Sequence, residues 1–489
     1  MSGSDSEVKL ADYVPNIGLE VHAELSTRTK VFCGCRTKAG ALPNTQVCPV
    51  CLGFPGALPV LNRSVVEYGL RVALAFHCQI CCPSIFERKG YYYPDLPKNF
   101  QISQKRAPLG KDGYLEIPVD GGFTRVRIAD VHLEEDAAKL LHPDDDRDHS
   151  LVDFNRSGIP LLEIVSEPDM HSVAQVAAYM NAVRSALLYL GVSEARMEQG
   201  QLRFEASVSL RPEESAELGT RIEIKNLNSF RALLGAVGYE IDRQKRALHN
   251  GEVIVQETRL WDEERSVTEP MRTKETAMDY RYFPEPDLVP LIVDDEWVAR
   301  VKAALPELAN ARQRRFVREY ELSDYDAGVL TSDKSIADLF EAATKEGAPV
   351  KAAANWLTGE FLRILKERDL EASGTKLTAQ ALAELIALVD QGTINAPAAK
   401  TVFARIVESG ESPGKVVADL GLTQISDEDQ LAAVVDEVIA ENPDAVANFR
   451  SGNEKSLGFL VGRVMRKSGK RANPRLVNRL LIHRLKPAE

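Results

Sequence analysis

The chain has 489 residues, 44% of them hydrophobic and 27% charged, which predicts a globular protein long enough for two or three domains. Its formal net charge of −12 argues against a nucleic-acid-binding surface spread over the whole molecule. No apolar run is long enough to span a membrane, and the acidic N-terminus lacks the pattern of a secretion or import signal, so we expect a cytoplasmic protein.

The first predicted strand covers residues 17–25, where every odd position is apolar. The even positions are Gly18, Glu20, His22 and Glu24. Because strand side chains alternate between the two faces of a sheet, Glu20 and His22 are predicted to point the same way.

Four of the seven cysteines have the spacing of a metal site. Cys33 and Cys35 are followed, after twelve residues, by Cys48 and Cys51. This pattern predicts a structural zinc knuckle whose four thiolates leave no open coordination position for chemistry. The alternative is four unrelated thiols in a cytosolic protein.

The remaining cysteines, Cys78, Cys81 and Cys82, follow a predicted apolar helix over residues 65–76. Free cysteine is among the most buried residue types, so we expect these thiols to be buried or partly buried.

Further predicted strands place charged side chains opposite an apolar face. These side chains are Asp130, His132, Glu134, Arg203, Glu205, Glu223 and Lys225. Glu163 differs, because it lies inside an apolar strand pattern, PLLEIVSE, where an unpaired carboxylate costs several kcal/mol. We therefore expect Glu163 to have a partner.

Carboxylates and a histidine from several strands are typical of a Mg²⁺ site that bridges phosphates. The alternative is a set of solvated faces of an antiparallel sheet, which normally keeps one side polar. The chain contains no phosphate-binding loop, no HExxH zinc motif and no nucleophile elbow. The polar strand faces therefore favour metal-dependent phosphoryl transfer.

After Pro290 the pattern becomes helical. Helices are predicted over residues 304–318 and 351–368, a polar break over 371–375, and helices throughout from residue 379. Residues 426–429 have the composition of a capping box, and Asn442 followed by Pro443 marks another helix start.

The end of the chain is basic although the protein is acidic. From Arg450 onward there are eleven Lys or Arg against two acidic residues, a net of +9, which leaves −21 for residues 1–449. Cations here alternate with apolar residues that would pack the helices, so the pattern predicts salt-dependent nucleic-acid binding. The alternative is a solvated basic face. The cations are Arg463, Arg466, Lys467, Lys470, Arg471, Arg475 and Arg479.

Eight segments in order carry a family resemblance: IGLEVHAEL, CPVCLGFPGALPVLN, YYYPDLPKNFQISQ, HLEEDAAKL, DFNRSGIPLLEIVSEPD, EIKNLNSF, QETRLWDE and DYRYFPEPDLVPL. They closely resemble the B subunit of the bacterial tRNA-dependent amidotransferases, the GatCAB family, over the whole chain. The resemblance implies an α+β fold: an antiparallel-sheet cradle of glutamine-synthetase-like fold over residues 1–298, a helical domain over 299–405, and a YqeY-like, tRNA-binding helical tail over 406–489.

The resemblance also implies an activity. Such a protein uses ATP and Mg²⁺ to phosphorylate the side chain of Glu or Asp misacylated onto tRNA(Gln) or tRNA(Asn). Ammonia from the amidase, which is the A subunit, then displaces the phosphate, and the heterotrimer is completed by a small C subunit. The archaeal GatE branch carries an inserted domain that this chain lacks, which favours the bacterial heterotrimeric type.

The family's metal-binding residues match Glu20, His22, Glu134 and Glu163, which the resemblance makes the Mg²⁺ ligands and part of the catalytic site. Where the family usually has Arg-Cys-Asp-x-Asn, this chain has Arg203-Phe-Glu205-Ala-Ser, so Glu205 is left out of the predicted site.

Cations are also expected near the nucleotide. Lys225 is the candidate for phosphate contact and catalysis, with an ion pair to Glu205 or Glu223 as the alternative. Arg281 is a second cofactor-binding candidate, or else a packing cation beside its tyrosines. The aromatic residues 91–93 either stack on the terminal bases of the tRNA or form a rigid lid.

Two other functions fit part of the pattern. A glutamine-synthetase-like ligase for a free amino acid explains the sheet but not the basic tail. A non-catalytic zinc and RNA-binding scaffold explains the cysteines and the tail but not Glu163.

Overall fold

The computed structural model describes residues 13–120, 122–143, 149–271, 280–424, 428–451, 453, 455–469 and 472–485. The chain divides into two compact units, Met1–Ala311 and Arg312–Glu489. The first contains a large sheet with helices and the second is helical, which agrees with the predicted order of a mixed domain followed by α-helices. No helix among the described residues has the length and apolarity needed to cross a bilayer.

The first unit contains fourteen strands within the described residues. They are β1 Tyr13–Glu24, β2 Gln79–Ile80, β3 Glu87–Gly90, β4 Phe100–Ser103, β5 Gly110–Val119, β6 Gly122–Glu135, β7 Lys139–Leu141, β8 Leu151–Asp153, β9 Pro160–Ser166, β10 Leu202–Pro212, β11 Ile222–Lys225, β12 Glu257–Asp262, β13 Val267–Pro270 and β14 Phe283–Pro284. All the strands predicted from alternation are present.

Nine of these strands form one sheet in the order β13-β12-β11-β10-β1-β9-β6-β5-β2. Neighbouring strands are antiparallel except β11 and β12, which pair in parallel. The predicted antiparallel sheet is thus confirmed at seven of the eight strand pairs, and the β11–β12 pair is the exception. A 20-residue helix connects the two strands, as a parallel connection requires.

One face of this sheet is covered by helices. These are α1 Arg63–Ala75, α2 Val173–Leu190, α3 Phe230–His249 and α4 Asp295–Ala303. Their buried residues form a single core with the odd-numbered apolar residues of β1 and the turn after it, from Ile17 to Leu25. Serine side chains cap two of the helices, since Ser172 accepts from the Gln175 N–H and Ser229 from the Ala232 N–H. The even-numbered polar residues of β1 consequently lie on the face opposite this core.

The second unit consists of helices, the first of which begins at Ala309, just before the boundary between the units. They are α5 Ala309–Tyr320, α6 Asp324–Thr331, α7 Lys334–Lys345, α8 Val350–Asn355, α9 Leu362–Arg368, α10 Ala379–Asp390, α11 Ala396–Ser409, α12 Pro413–Asp419, α13 Glu428–Glu441, α14 Pro443–Arg450, α15 Lys455–Lys467 and α16 Pro474–Leu485. A π-helical segment, Trp356–Phe361, joins α8 to α9.

Most of the predicted helical segments are confirmed. The predicted helix over residues 351–368 is continuous through the π-helical segment, and α14 begins at Pro443 as expected. The segment 304–318 is not one helix, because Pro306 disfavours helix before it and α5 begins only at Ala309. The capping box at 426–429 lies partly outside the described residues.

Two separate cores lie in the second unit. One extends from Phe316 to Val417 and the other from Leu431 to Leu485. The boundary predicted between residues 405 and 406 falls within α11, whose Ile406 and Val407 belong to the first of these cores.

Candidate active site and metal positions

The polar face of the large sheet is built by strand register. His22 of β1 pairs with Arg203 of β10 on one side and with Glu163 of β9 on the other. Glu163 in turn pairs with His132 of β6. Directly opposed residues of antiparallel strands point to the same face, so these four side chains form a row across the sheet.

The first cluster combines His22 and Glu163 of this row with Glu134, which lies two residues after His132 on β6. The ligand atoms of the three lie within 4.8 Å of one another. His22 Nε2 is 3.1 Å from Glu163 Oε2 and 3.7 Å from Glu134 Oε1. Both carboxylates are buried. The expectation that Glu163 has a partner is confirmed, and the donor set of two carboxylates and one imidazole suits a divalent cation.

His132 supports this cluster, although the predicted site omitted it. Its Nε2 lies 3.2 Å from Glu163 Oε2 and its Nδ1 lies 2.6 Å from Asp130 Oδ1. Burial disfavours the charged imidazolium, but Glu163 and Asp130 outweigh it and raise the pKa of His132 to about 10. Burial likewise opposes ionisation of Glu163, yet His132 and His22 hold its pKa well below the usual value. Glu163 is therefore an ionised carboxylate held in a fixed orientation.

The neighbouring Glu134 has the opposite environment. Burial and the charge of Glu163 raise the pKa of Glu134, while His22 and Lys89 oppose that rise. Two carboxylates this close repel each other, so a cation bound between them relieves the repulsion.

A second cluster lies beside the first and consists of Glu20, Glu205 and Glu223, again with ligand atoms within 4.8 Å of one another. Glu20 and Glu205 are directly opposed in the β1–β10 pair. Burial, followed by Glu163, Glu205 and Glu223, raises the pKa of Glu20. Glu205 was set aside on its departure from the family motif, whereas strand register would have placed it opposite Glu20.

Lys225 closes this second cluster. Its Nζ lies 2.8 Å from Glu205 Oε2 and 3.3 Å from Glu223 Oε1, so the ion pair considered from the sequence is present. Burial alone would lower the pKa of Lys225, but the two carboxylates raise it. The ammonium group therefore lies beside the three carboxylates of this cluster and partly compensates their charge.

Lys89 of β3 is a further cation that the sequence did not indicate. Burial opposes its charge, yet Glu134 is the leading influence that raises the pKa of Lys89. Its Nζ lies 5.1 Å from the ring centre of Tyr280. The four-residue strand ERKG has no alternation to reveal which way Lys89 points.

Tyr91 and the two tyrosines that flank Arg281, Tyr280 and Tyr282, lie near Lys89. Tyr280 packs against Tyr91 with ring centres 6.0 Å apart. Arg281 is exposed and has a φ of 46°, and Tyr92 and Tyr93 are 82% and 56% exposed. Tyr91 is thus packed against another tyrosine while its two neighbours face solvent.

The four predicted knuckle cysteines converge, with their sulfurs within 4.8 Å of one another. The Cys48 and Cys51 sulfurs are 3.9 Å apart, close to the roughly 3.8 Å that two thiolates on one tetrahedral zinc would have. A hydrogen bond from the Cys33 thiol is the main influence that lowers the pKa of Cys51 to about 4, helped by the buried Lys30. The cluster therefore fits a metal ion.

The other three cysteines differ from one another. Cys78 is buried, Cys81 is half-buried and Cys82 is exposed. The expectation of buried or partly buried thiols is wrong for Cys82. Burial raises the pKa of the Cys78 thiol to about 12, so it is an unreactive core residue.

The basic residues at the C-terminal end have unequal surroundings. Arg463, Arg466, Arg475 and Arg479 are exposed on α15 and α16, whereas Lys467 Nζ lies 2.9 Å from Glu437 and 2.5 Å from Glu441 of α13. Arg479 pairs with Glu428 at 3.2 Å. Lys470 and Arg471 lie outside the described residues. The charge available to a polyanion is thus smaller than the sequence count indicated.

Comparison with known proteins matches two family models. The model of the GatB/GatE catalytic domain matches residues 15–299, and a model described as a GatB domain matches residues 338–485.

Curated relatives match along nearly the whole length. A protein of Thermoanaerobacter sp. is 52% identical over 473 residues, covering 97% of this chain and 99% of the relative. One of Carboxydothermus hydrogenoformans is 50% identical over 478 residues, with 97% and 99% covered. One of Moorella thermoacetica is 52% identical over 475 residues, with 97% and 100% covered. All three are named as the B subunit of an aspartyl/glutamyl-tRNA(Asn/Gln) amidotransferase.

Proposed function

The chain belongs to the GatB family of amidotransferase B subunits, and from that premise we propose that its polar sheet face is a tRNA-dependent kinase and transamidation site. The substrate is Glu or Asp misacylated onto tRNA(Gln) or tRNA(Asn). ATP phosphorylates the side-chain carboxylate, and ammonia then displaces phosphate to give the amide.

The observation that carries this proposal is the adjacency of the two acidic clusters. His22, Glu134 and Glu163 form one divalent-cation position, and Glu20, Glu205 and Glu223 form the next, with Glu20 and His22 two residues apart on one strand. Two neighbouring positions of this kind suit the transfer of a phosphoryl group between two anions. We place Mg²⁺ at both, and it would neutralise phosphate charge as the phosphoryl group moves.

The protein's own groups orient the reaction. The His132–Glu163 pair fixes one carboxylate in its ionised form, and Lys225 offers a donor to the nucleotide phosphates at the rim of the second cluster. Lys89 is a second cation, whose Nζ lies over the ring of Tyr280 and near enough to Glu134 to balance the charge of the buried carboxylates. The two lysines reduce the repulsion between ATP and the attacking carboxylate.

We extend the proposal to partners and architecture. The site draws ammonia from an amidase, the A subunit, in a heterotrimer that also contains a small C subunit. The sheet unit is proposed to share the glutamine synthetase fold, and the knuckle cysteines to bind zinc for structural purposes. The exposed cations of α15 and α16 are proposed to contact tRNA phosphates, and Arg281 to contact the nucleotide.

A reconstituted complex tests the proposal directly. We would combine this chain with its A and C partners, supply ammonium in place of glutamine, and measure ADP and glutaminyl-tRNA from glutamyl-tRNA(Gln), ATP and Mg²⁺. Glu134→Gln is expected to abolish ATP turnover while tRNA binding persists, and Glu264→Gln, on the exposed turn after β12, serves as the matched control.

Each outcome has a consequence. Product formation without glutamine would indicate that phosphorylation and amidation do not need the glutaminase activity of the A subunit. ATP turnover with free glutamate and no tRNA would instead favour a free-amino-acid ligase, and intact ATP with tRNA bound would favour the RNA-binding scaffold.

A further inference from the structure

Arg203 lies in the polar row beside His22 with most of its hydrogen-bonding capacity unused. Within the residues that the structure describes, its guanidinium donates one hydrogen bond, from Nη2 to Asp136 Oδ2 at 3.0 Å. The Nε atom is buried and has no partner there. A buried donor without an acceptor costs free energy, so its retention needs an explanation.

Arg156 provides an internal comparison, because it contacts the same carboxylate. Its Nε lies 3.6 Å from Asp136 Oδ2, but its Nε and Nη2 also donate to the carbonyl oxygens of Ala137 and Ala138, both at 3.0 Å. Arg156 is therefore anchored to the backbone and has a structural role. Arg203 has no such anchor among the described residues and keeps 37% of its side chain exposed.

The position of Arg203 brings a cation next to both acidic clusters. Register places it opposite His22, and along β10 it is two residues from Glu205 on the same face. Asp136, Glu24 and Glu134 all lie near enough to raise its pKa against the effect of burial. A guanidinium in this place is permanently charged and presents a planar fork of donors.

We propose that Arg203 binds an oxyanion of the substrate through the N–H groups that Asp136 leaves free. A planar fork suits a carboxylate or a phosphoryl group, which it binds through two parallel hydrogen bonds. Within the proposed function, on which this inference rests, two groups have this chemistry: the side-chain carboxylate of the amino acid on tRNA and the terminal phosphate of ATP.

The test uses the reconstituted heterotrimer with ammonium as nitrogen donor. Arg203→Ala and Arg203→Lys are compared with wild type and with Arg156→Ala for the KM of misacylated tRNA, the KM of ATP, kcat and thermal unfolding. Arg203→Lys keeps the charge next to Asp136 but loses the planar fork of donors. It therefore tests whether the fork binds the substrate oxyanion even if Arg203→Ala fails to fold. Added guanidinium ion is tested for rescue of Arg203→Ala.

We expect one KM to rise at least tenfold in both Arg203 variants, with partial rescue of Arg203→Ala by guanidinium and little change in Arg156→Ala. A rise for misacylated tRNA alone identifies the side-chain carboxylate, and a rise for ATP alone identifies the phosphate. Unchanged KM values in Arg203→Lys, or equal effects in the Arg203 and Arg156 variants, would overturn the proposal. A wild-type complex with no tRNA-dependent ATP turnover would instead refute the proposed function.

Discussion

At Lys225 the ion pair seen in the structure and the proposed phosphate contact do not exclude each other. Its ion pairs with Glu205 and Glu223 are present, and the proposed contact with a nucleotide phosphate would use the same ammonium group. Lys225→Gln is expected to raise the KM for ATP at least tenfold, because the three carboxylates then face the nucleotide uncompensated.

Steady-state kinetics at saturating Mg²⁺ and misacylated tRNA check this expectation. Arg221→Gln, an exposed cation just before the same strand, is the control. If Lys225→Gln changes only the Mg²⁺ concentration required for activity and leaves the KM for ATP unchanged, Lys225 serves only as an ion-pair partner of the carboxylates.

Glu341 gives a pH-dependent prediction in the helical unit. It receives hydrogen bonds from Arg315 Nη1 at 2.7 Å and from Arg312 Nη2. Although burial would raise the pKa of Glu341, these guanidinium groups hold it below its usual value. A depressed native pKa contributes stability above the unfolded value of about 4.3, and that contribution disappears as the pH falls through the native pKa.

Glu341→Gln is therefore expected to lower the free energy of unfolding by about 1 to 3 kcal/mol at pH 7. The difference from wild type should shrink as the pH falls below about 4. Thermal unfolding at several pH values measures it, with the exposed Glu346→Gln as control. A difference that stays constant with pH would contradict the ion-pair explanation.

Single site residues could be predicted from the sequence only where the pattern within one strand singled them out. Glu163 stood out because a carboxylate in an apolar strand needs a partner, and the structure provides two histidines. His132 lay on a noted polar face but carried no sign of its contact with Glu163. Lys89 and the unused donors of Arg203 depend on contacts between distant segments, which alternation within one strand does not report.

The cysteine knuckle is an element whose integrity can be separated from catalysis. Replacing Cys33 and Cys48 by Ser is expected to remove bound zinc and to speed protease cleavage within residues 33–53, because a closed thiolate site ties this loop together. Elemental analysis and limited proteolysis measure both effects. Cys82→Ser, an exposed cysteine outside the cluster, should change neither.

The helices α15 and α16 carry a prediction on tRNA affinity. Replacing Arg463, Arg466 and Arg475 with Gln is expected to weaken tRNA binding roughly tenfold or more and to reduce the salt slope by about 1 for each phosphate that is no longer bound. Lys467→Gln should have a smaller effect, because Glu437 and Glu441 already neutralise that ammonium. Binding measured over a range of salt concentrations distinguishes the two, and equal slopes for the triple variant and wild type would exclude phosphate contact.

Elements were predictable where the period was regular. Strict alternation located β1, β10 and β11, and the Asn-Pro pair located the start of α14. The parallel pairing of β11 with β12 was not predictable, because strand direction is set by the helix α3 between them and not by the composition of either strand. Helix period alone extended α5 too early, where the proline decides the boundary.

At the scale of the whole molecule, the order of a mixed unit followed by helices was visible from the change of pattern after Pro290. The position of the division within the helices was not, since helical period continues through the predicted boundary and does not report which core a helix joins. Contacts such as those of Phe403 and Val407 decide which core a helix joins. The position at which the chain can be truncated between the two helical cores therefore has to be taken from the structure.

Truncation provides the last prediction. A chain ending at residue 424 keeps the core from Phe316 to Val417 and removes the core from Leu431 to Leu485. We expect its complex with the A and C partners to keep kcat and the KM for ATP within about twofold, because the acidic clusters are untouched. The KM for misacylated tRNA should rise at least tenfold, because the exposed cations are removed.

A chain ending at residue 405 is expected to aggregate or to unfold at lower temperature, since it cuts α11 and removes Ile406 and Val407. An unchanged KM for tRNA in the first truncation would remove the last helices from the tRNA interface, and a collapse of kcat at saturating tRNA would show that they also serve the chemistry.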